Sequence, residues 1–219
     1  MKYIYHHLGI GDHIICNGLV RYYKEIYGQV GVFCKCSNYE TIQYMYRDDE
    51  NIQVLGMAND SDIDDCISLN RIENYVIKVG FENLYKCDAK TFDVSFYEGC
   101  KIPFLVRFTD FHIERDLYLE KKIIEELNPN GEKYIFTHNV DKNKIKSNFK
   151  IIDNPLNYNI FNLISLIENA EEVHLMESSI KCLINSYKMS KPKFFYHKYV
   201  REYGSYYNSV GLNKFEIIN

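Results

Sequence analysis

The sequence contains no tryptophan, only four prolines and no apolar run that approaches the ~20 residues of a membrane-spanning helix. Its N-terminus also lacks the positive charge and the apolar stretch that mark a secretory signal. None of the seven cysteines forms a Cys-x-x-Cys pair, so the sequence indicates neither a zinc site nor a disulfide framework. We expect a cytoplasmic chain with reduced thiols and no membrane span.

An excess of positive charge is missing as well. The formal net charge at pH 7 is −4, which leaves no broad basic face to neutralise the phosphates of a nucleic acid. Hydrophobic residues make up 46% and charged residues 26% of the 219 residues, which is the usual balance of a globular protein. These proportions indicate a globular protein that does not bind nucleic acid.

What is present is a regular alternation of strand and helix patterns. In the first half we predict strands at 3–7, 31–36, 52–55 and 75–79, and helices at 12–27, 37–47, 89–99 and 112–128. In the second half we predict strands at 134–137, 149–152, 173–176 and 193–196, and helices at 160–170 and 178–187.

Strands separated by helices favour right-handed crossovers and mostly parallel sheets. The clearest break in the pattern is the turn Asn128-Pro129-Asn130-Gly131. We therefore predict an α/β fold of two Rossmann-like units, residues 1–128 and 129–219, with a cleft between them.

A glycine turn joins the first predicted strand to the first helix. Gly9 and Gly11 match the start of the dinucleotide fingerprint Gly-x-Gly-x-x-Gly, but Ile14 occupies the third position and obstructs a pyrophosphate. The turn instead presents Asp12, beside His13, at the carboxyl end of a strand, where open α/β sheets bind ligands. The Asp12 carboxylate either accepts a proton from a substrate hydroxyl or caps the helix that begins beside it.

A second strand-to-helix turn carries an acid and two hydroxyl groups, Glu177, Ser178 and Ser179. Free N–H groups at a helix start suit a phosphate, and a carboxylate accepts hydrogen bonds from ribose hydroxyls. The alternative interpretation is an ordinary helix N-cap.

Further basic residues are candidates for binding a diphosphate. His138 follows a predicted strand, and Lys142 begins a lysine-rich loop just after it. Arg107 and Arg115 are further candidates to bind an anion, on the side of the site that would face the phosphates or a second substrate, the acceptor. The alternatives are solvated lysines and arginines held in salt bridges.

The acidic run at 60–65 follows a strand and offers another chemistry. Closely spaced carboxylates such as Asp60 and Asp62 can hold Mg²⁺ or Mn²⁺ against a nucleotide diphosphate. A solvated acidic loop is the alternative interpretation.

Residues 7–21 resemble the N-terminal Gly-Asp motif of GT-B-type glycosyltransferases related to the heptosyltransferases. Residues 160–179, which read as a helix, a strand and an acid-Ser-Ser helix start, are similar to the donor-half pattern of the same family. Compact proteins of this kind occur in bacterial and large-virus glycan gene sets. The heptosyltransferase motif has Asp-Ser-Gly where this chain has Glu-Ser-Ser, so the resemblance does not carry the identity of the donor.

The resemblance implies roles for these residues. Asp12 would be the base that deprotonates the acceptor hydroxyl, with His13 as the second choice. The nucleotide sugar would be surrounded by His138, Glu177, Ser178 and Ser179. The fold normally needs no metal, because a helix dipole and basic groups stabilise the leaving diphosphate.

The resulting hypothesis is an inverting glycosyltransferase of the hexosyl or deoxyhexosyl type that uses neither metal nor cofactor. It would transfer a sugar from a nucleotide-diphosphate sugar to a hydroxyl of a glycan acceptor. Two alternatives are a metal-dependent glycosyltransferase that uses Asp60 and Asp62, and a non-catalytic module that binds nucleotides or sugars.

Overall fold

The computed structural model describes residues 1–80, 92–200 and 211–219. The chain divides into two compact units, one that includes Met1–Glu114 and one that begins at Arg115. Each unit contains its own parallel sheet flanked by helices, so the predicted α/β fold with two parallel sheets is confirmed. Among the described residues, no helix is long and apolar enough to cross a membrane.

The first unit is built on a four-stranded parallel sheet with the order β3-β2-β1-β4. Its strands are β1 (Lys2–Tyr5), β2 (Val30–Lys35), β3 (Ile52–Met57) and β4 (Val76–Lys78). Its helices are α1 (Ile10–Ile15), α2 (Asn17–Tyr27), α3 (Tyr39–Met45), α4 (Asp60–Leu69), α5 (Phe92–Gly99) and α6 (Val106–Thr109). The strand order reverses at β1, so the carboxyl end of β1 is a topological switch point, where ligands bind in folds of this kind.

The structure has two helices where one was predicted over 12–27. Helix α1 ends at Ile15, Cys16 lies between the two helices, and α2 begins at Asn17. Asn17, at the start of α2, exchanges hydrogen bonds with the backbone of His112, at 3.2 Å through its Nδ2 and 3.0 Å through its Oδ1. These contacts join residues far apart in sequence, which is why the local pattern did not indicate the break.

Two other local predictions differ from the structure, and a third is only partly described. The acidic run at 60–65 lies in α4, whose N-cap Asn59 accepts a hydrogen bond from the Asp62 N–H at 3.1 Å. The helix predicted at 37–47 begins later, at Tyr39, because Cys36–Asn38 form a 3₁₀ turn, in which the Asn38 side chain donates to the Leu8 carbonyl at 3.0 Å. The helix predicted at 89–99 is α5, and its first three predicted residues lie outside the described part of the chain.

Helices α2 and α6 pack at close range, and a glycine permits it. A Cβ atom on Gly18 would lie 2.4 Å from the Val106 carbonyl oxygen and 3.2 Å from the Arg107 Cα. Both neighbours are backbone atoms, which cannot rotate away as a side chain can.

We predict that Gly18→Ala lowers the free energy of unfolding by about 1–3 kcal/mol, as overpacking of a core usually does. Alanine is the better helix former by about 1 kcal/mol, so the sign of the change tests which effect dominates. Urea denaturation of the two proteins measures it. A variant as stable as the wild type, or more stable, would contradict the close approach of the two helices.

The second unit contains a five-stranded parallel sheet with the order β6-β5-β7-β8-β9. Its strands are β5 (Tyr134–His138), β6 (Lys150–Asp153), β7 (Glu172–Leu175), β8 (Lys193–His197) and β9 (Phe215–Ile218). Its helices are α7 (Leu117–Leu127), α8 (Ile164–Glu168) and α9 (Ser179–Ser186). The sequence did not predict β9, and the switch point of this sheet lies between β5 and β7, where His138 is aligned with Leu175.

Helix α7 belongs to the second unit because of a buried carboxylate. Glu120 is fully buried and accepts hydrogen bonds from Arg115 at 2.9 Å and 2.5 Å and from the Ser165 N–H at 2.9 Å. The division between the units therefore precedes α7, upstream of the 128/129 boundary predicted from the sequence.

Candidate functional site

The glycine turn of the first unit follows the carboxyl end of β1. Gly9 is the N-cap of α1 and is exposed, and it has no side chain to satisfy the free N–H groups of the helix. The hydrogen bond from Asn38, in the 3₁₀ turn after β2, to the Leu8 carbonyl ties the glycine turn to the connection that follows the neighbouring strand. The turn is thus a surface feature fixed by the sheet beneath it.

Asp12 is the third residue of α1, and its carboxylate folds back over the N-cap. Its Oδ2 lies 2.7 Å from the point where a Cβ of Gly9 would be, so only glycine fits there without displacing the carboxylate. Burial raises the pKa of Asp12 to about 6, and the N–H groups of Gly9 and Asp12 oppose that rise. The carboxylate therefore accepts from N–H groups at the start of α1, as the cap interpretation predicts, and its role as a base stays a prediction.

His13, the second candidate base, is fully buried, and so is His6. Their rings meet edge to face with centroids 4.3 Å apart, and neither ring nitrogen of His13 has a hydrogen-bond partner among the described residues. Burial lowers the pKa of His6 to about 4 and that of His13 well below its ordinary value. Both imidazoles are therefore neutral at pH 7, and His13 is not accessible to a substrate in this conformation.

In the second unit, the carboxyl ends of β5 and β6 border a cavity of about 330 Å³. Asn139, just after β5, has a positive φ of 51°, a conformation that asparagine tolerates better than most residues. The cavity is lined by His138, Asn139, Val140, Asp153, Asn154 and Leu156.

Two buried polar atoms of this lining lack partners among the described residues. They are the Nδ1 of His138 and the Oδ1 of Asn154. Burial lowers the pKa of His138, against the opposing charge of Asp153, so its imidazole offers neutral donor and acceptor nitrogens. Unsatisfied buried polar groups are costly and call for a partner, and a ligand in the cavity would supply one. The sequence pattern indicated His138 but not Asn154, for which only its place just after a strand could have served as a signal.

Lys142 lies at the edge of the same region. Its ammonium group forms an ion pair with Asp153, whose carboxylate also accepts a hydrogen bond from the Thr137 hydroxyl. These contacts hold the pKa of Asp153 below its ordinary value, although burial opposes the effect. The lysine and the carboxylate are both about half exposed, so an anion could compete for Lys142.

The Glu177-Ser178-Ser179 turn is largely occupied by internal contacts. Glu177 is buried and accepts hydrogen bonds from Lys181 at 2.6 Å and from the Tyr196 hydroxyl at 3.3 Å. Ser178 is the N-cap of α9, and its Oγ accepts a hydrogen bond from the Lys181 N–H at 3.4 Å. Ser178 and Ser179 remain partly exposed at the helix start, whereas the Glu177 carboxylate faces inward.

The two predicted anion ligands on the acceptor side are held inside the units. Arg107 is fully buried and forms an ion pair with Asp93. Arg115 contacts Glu120, Glu168 and Ser165 through all three guanidinium nitrogens. Both arginines are ion-pair partners, and although the Arg107 Nε and Nη2 have no hydrogen-bond partner among the described residues, they are buried.

The acidic alternative has no metal-binding geometry in the part of the chain that the structure describes. Asp60 and Asp62 lie in the first turn of α4, where negative charge favours the helix. No group of three or more His, Cys, Asp or Glu side chains among the described residues is arranged to hold a metal ion.

Comparison with known proteins gives one informative result. No protein-family model matches the chain, and no curated protein sequence does either. The structure is similar to the crystal structure of the glycosyl transferase family 9 protein from Veillonella parvula DSM 2008, with a TM-score of 0.58. The match covers 99% of this chain and 86% of the other at 10% sequence identity, so it shows a shared fold across both units.

The raised pKa of Asp12 predicts a pH-dependent stability. Between its ordinary value of 3.8 and about 6, the folded protein keeps a proton that the unfolded chain has released. The free energy of unfolding should therefore fall as the pH rises through this window, and Asp12→Asn should remove that contribution.

Urea denaturation of both proteins at a series of pH values measures the difference, from which the histidine contributions cancel. Asp62→Asn is the matched control, because Asp62 holds the same third position in α4. A constant difference between Asp12→Asn and the wild type at every pH would contradict the raised pKa.

Proposed function

We propose that the protein is a glycosyltransferase that moves a hexosyl or deoxyhexosyl group from a nucleotide-diphosphate sugar to a hydroxyl of a glycan acceptor. The observation that carries the proposal is the Asp12 carboxylate over the glycine turn that follows β1, in a fold similar to that of a family 9 glycosyl transferase. The direct transfer would invert the anomeric centre and would use no metal.

Asp12 would act as the general base. A carboxyl group with a pKa of about 6 is mostly ionised at pH 7, yet it holds a proton better than an ordinary aspartate does. Its carboxylate would take the proton of the acceptor hydroxyl while that oxygen attacks the anomeric carbon. The nucleoside diphosphate would leave from the opposite face, which inverts the configuration.

The second unit would bind the donor. His138 and Asn154 carry unpartnered polar atoms beside the cavity, and Lys142 can exchange its ion pair with Asp153 for a phosphate oxygen. The free N–H groups at the start of α9, with Ser178 and Ser179, would receive further negative charge. Glu177 would act through Lys181 by holding the start of this helix in place, since its carboxylate is already engaged.

The base assignment predicts that Asp12→Asn lowers kcat by roughly a hundredfold or more, because general base catalysis is lost. Nucleotide affinity should change little, because the donor is assigned to the other unit. Asp62→Asn is again the matched control and should retain activity. Turnover is measured, with and without a chelator, with whichever nucleotide sugar raises the Tm in a thermal-shift screen.

Full activity in Asp12→Asn would contradict the assignment of the base. Loss of activity in Asp62→Asn, together with inhibition by the chelator, would favour the metal-dependent alternative instead.

The donor assignment is tested by a thermal-shift screen with UDP, GDP, dTDP and CMP and their sugars. A ligand that binds the folded state raises the Tm, and at a concentration of 100 Kd it adds about 2.7 kcal/mol. Lys142→Met should reduce the shift, whereas Lys121→Met, an exposed lysine of α7, should not. An equal shift in Lys142→Met and the wild type would remove Lys142 from the donor site.

A further inference from the structure

One face of the second sheet carries a continuous chain of hydrogen bonds between side chains. The His174 Nε2 lies 3.2 Å from the Glu172 Oε2, and its Nδ1 lies 2.8 Å from the His197 Nε2. The His197 Nδ1 lies 2.8 Å from the Tyr199 hydroxyl, which accepts a hydrogen bond from the Asp141 N–H at 3.2 Å. We call these four side chains, from Glu172 to Tyr199, the imidazole chain.

The partners at its two ends determine where the protons lie. An ionised Glu172 only accepts, so His174 donates from Nε2 and must accept at Nδ1. His197 therefore donates from Nε2 and accepts at Nδ1, which leaves the Tyr199 hydroxyl as the donor of that last bond. With both rings neutral, every ring nitrogen of the two histidines is satisfied, and both rings are almost completely buried.

The Tyr199 end of the imidazole chain contacts the loop that connects β5 and β6. The connection between β5 and β6 contains a short 3₁₀ turn, Lys142–Lys144, and no α-helix. Tyr199 contacts this loop twice. Its hydroxyl accepts a hydrogen bond from the Asp141 N–H, and the centroid of its ring lies 3.6 Å from the Lys144 Nζ. A cavity of about 550 Å³ lies on the same side, lined by residues that include Lys144, Glu172 and Phe195, so the loop is not packed closely over this face.

We infer that Tyr199 is a positioning residue, held by the imidazole chain, which fixes the loop that carries Lys142 at the carboxyl end of β5. This inference rests on the proposed function for the role of Lys142 in donor binding. Tyr199 acts through the backbone of Asp141, the residue next to Lys142, because its hydroxyl accepts a hydrogen bond from the Asp141 N–H. Restraint of this backbone reduces the ordering cost when a diphosphate binds.

Because the hydrogen bonds depend on where the protons lie, the contact between Tyr199 and the loop should depend on pH, which a contact by packing alone would not. A further proton on His174 or His197 leaves a hydrogen on the His197 Nδ1, so the Tyr199 hydroxyl must turn and accept from it as well as from the Asp141 N–H, and the two donors compete for one oxygen. Burial lowers the pKa of His197 to about 4, with His174 and Lys144 acting in the same direction and Asp141 opposing. The charged or titratable groups around the two rings are Glu172 on β7, Asp141, Lys144 and Lys146 of the loop, Tyr199, and Glu216 on β9.

The test uses the full chain and two readouts, the hydrogen-exchange protection of the Asp141 amide and the Kd for whichever of UDP, GDP, dTDP and CMP binds in the thermal-shift screen. Tyr199→Phe keeps the ring but removes the hydroxyl. We expect protection of the Asp141 amide to fall about fivefold to tenfold, as loss of one hydrogen bond implies, and Kd to rise by a similar factor. The matched control is Tyr118→Phe, an exposed tyrosine of α7 in the same unit.

A pH series separates positioning from simple packing. In the wild type, protection of the Asp141 amide should fall as the pH approaches about 4, the value to which burial lowers the pKa of His197. His197→Gln should retain both hydrogen bonds, since a neutral amide both donates and accepts, and its protection should depend less on pH. Urea denaturation confirms that each variant is folded under the conditions of measurement.

Unchanged protection of the Asp141 amide in Tyr199→Phe would overturn the inference, and so would reduced protection with an unchanged Kd. If the wild type binds none of the four nucleotides, the proposed function fails and the positioning role fails with it. In that case the exchange data still show separately whether the imidazole chain restrains the loop.

Discussion

All the described strands within each sheet run parallel, and the candidate sites of both units depend on this constraint. Parallel pairing brings the carboxyl ends of all strands of a sheet to one edge, and each strand must leave that edge through a turn. The Gly9 turn after β1 and the His138 turn after β5 are therefore surface features supported by a buried sheet. Ligand chemistry on such turns needs no change in the core below them.

The Gly9 turn combines two demands on one carboxylate. Asp12 has to stabilise the start of a six-residue helix that has no side-chain N-cap, and its oxygen lies over Gly9 in doing so. The same position is buried enough to raise the pKa of the carboxyl group to about 6. A cap would gain from a low pKa, since its charged form binds the N–H groups more strongly. Burial therefore outweighs the hydrogen bonds of the cap, and the raised value is the property that the proposed base requires.

Some of the predicted site residues form buried ion pairs that stabilise the fold, and others remain available to a ligand. Arg115 and Glu120 attach α7 to the second unit, and Glu177 pairs with Lys181. A buried charge is costly unless it is paired, so these side chains are committed to their partners. The groups left for a ligand are those at the strand ends with an exposed or unpartnered atom, namely Asp12, His138, Lys142 and Asn154.

The amino-acid sequence by itself determined the alternation of strands and helices, the parallel sheets and the two strand-to-helix turns. These features follow from hydrophobic periodicity and from glycine and capping residues, which act over a few neighbouring positions. It did not determine the break at Cys16, the strand β9 or the helix over the acidic run at 60–65. It also left open which of the polar candidates would be buried.

Only the tertiary structure decided that Arg107 and His13 lie inside the first unit, and that Asn154 borders a cavity with His138. Burial, pairing and pKa depend on residues that are distant in sequence, such as Asn17 and His112, or His174 and His197. A local pattern carries no information about those partners. For that reason the sequence determined where the turns lie, and the fold decided which of their side chains remain available.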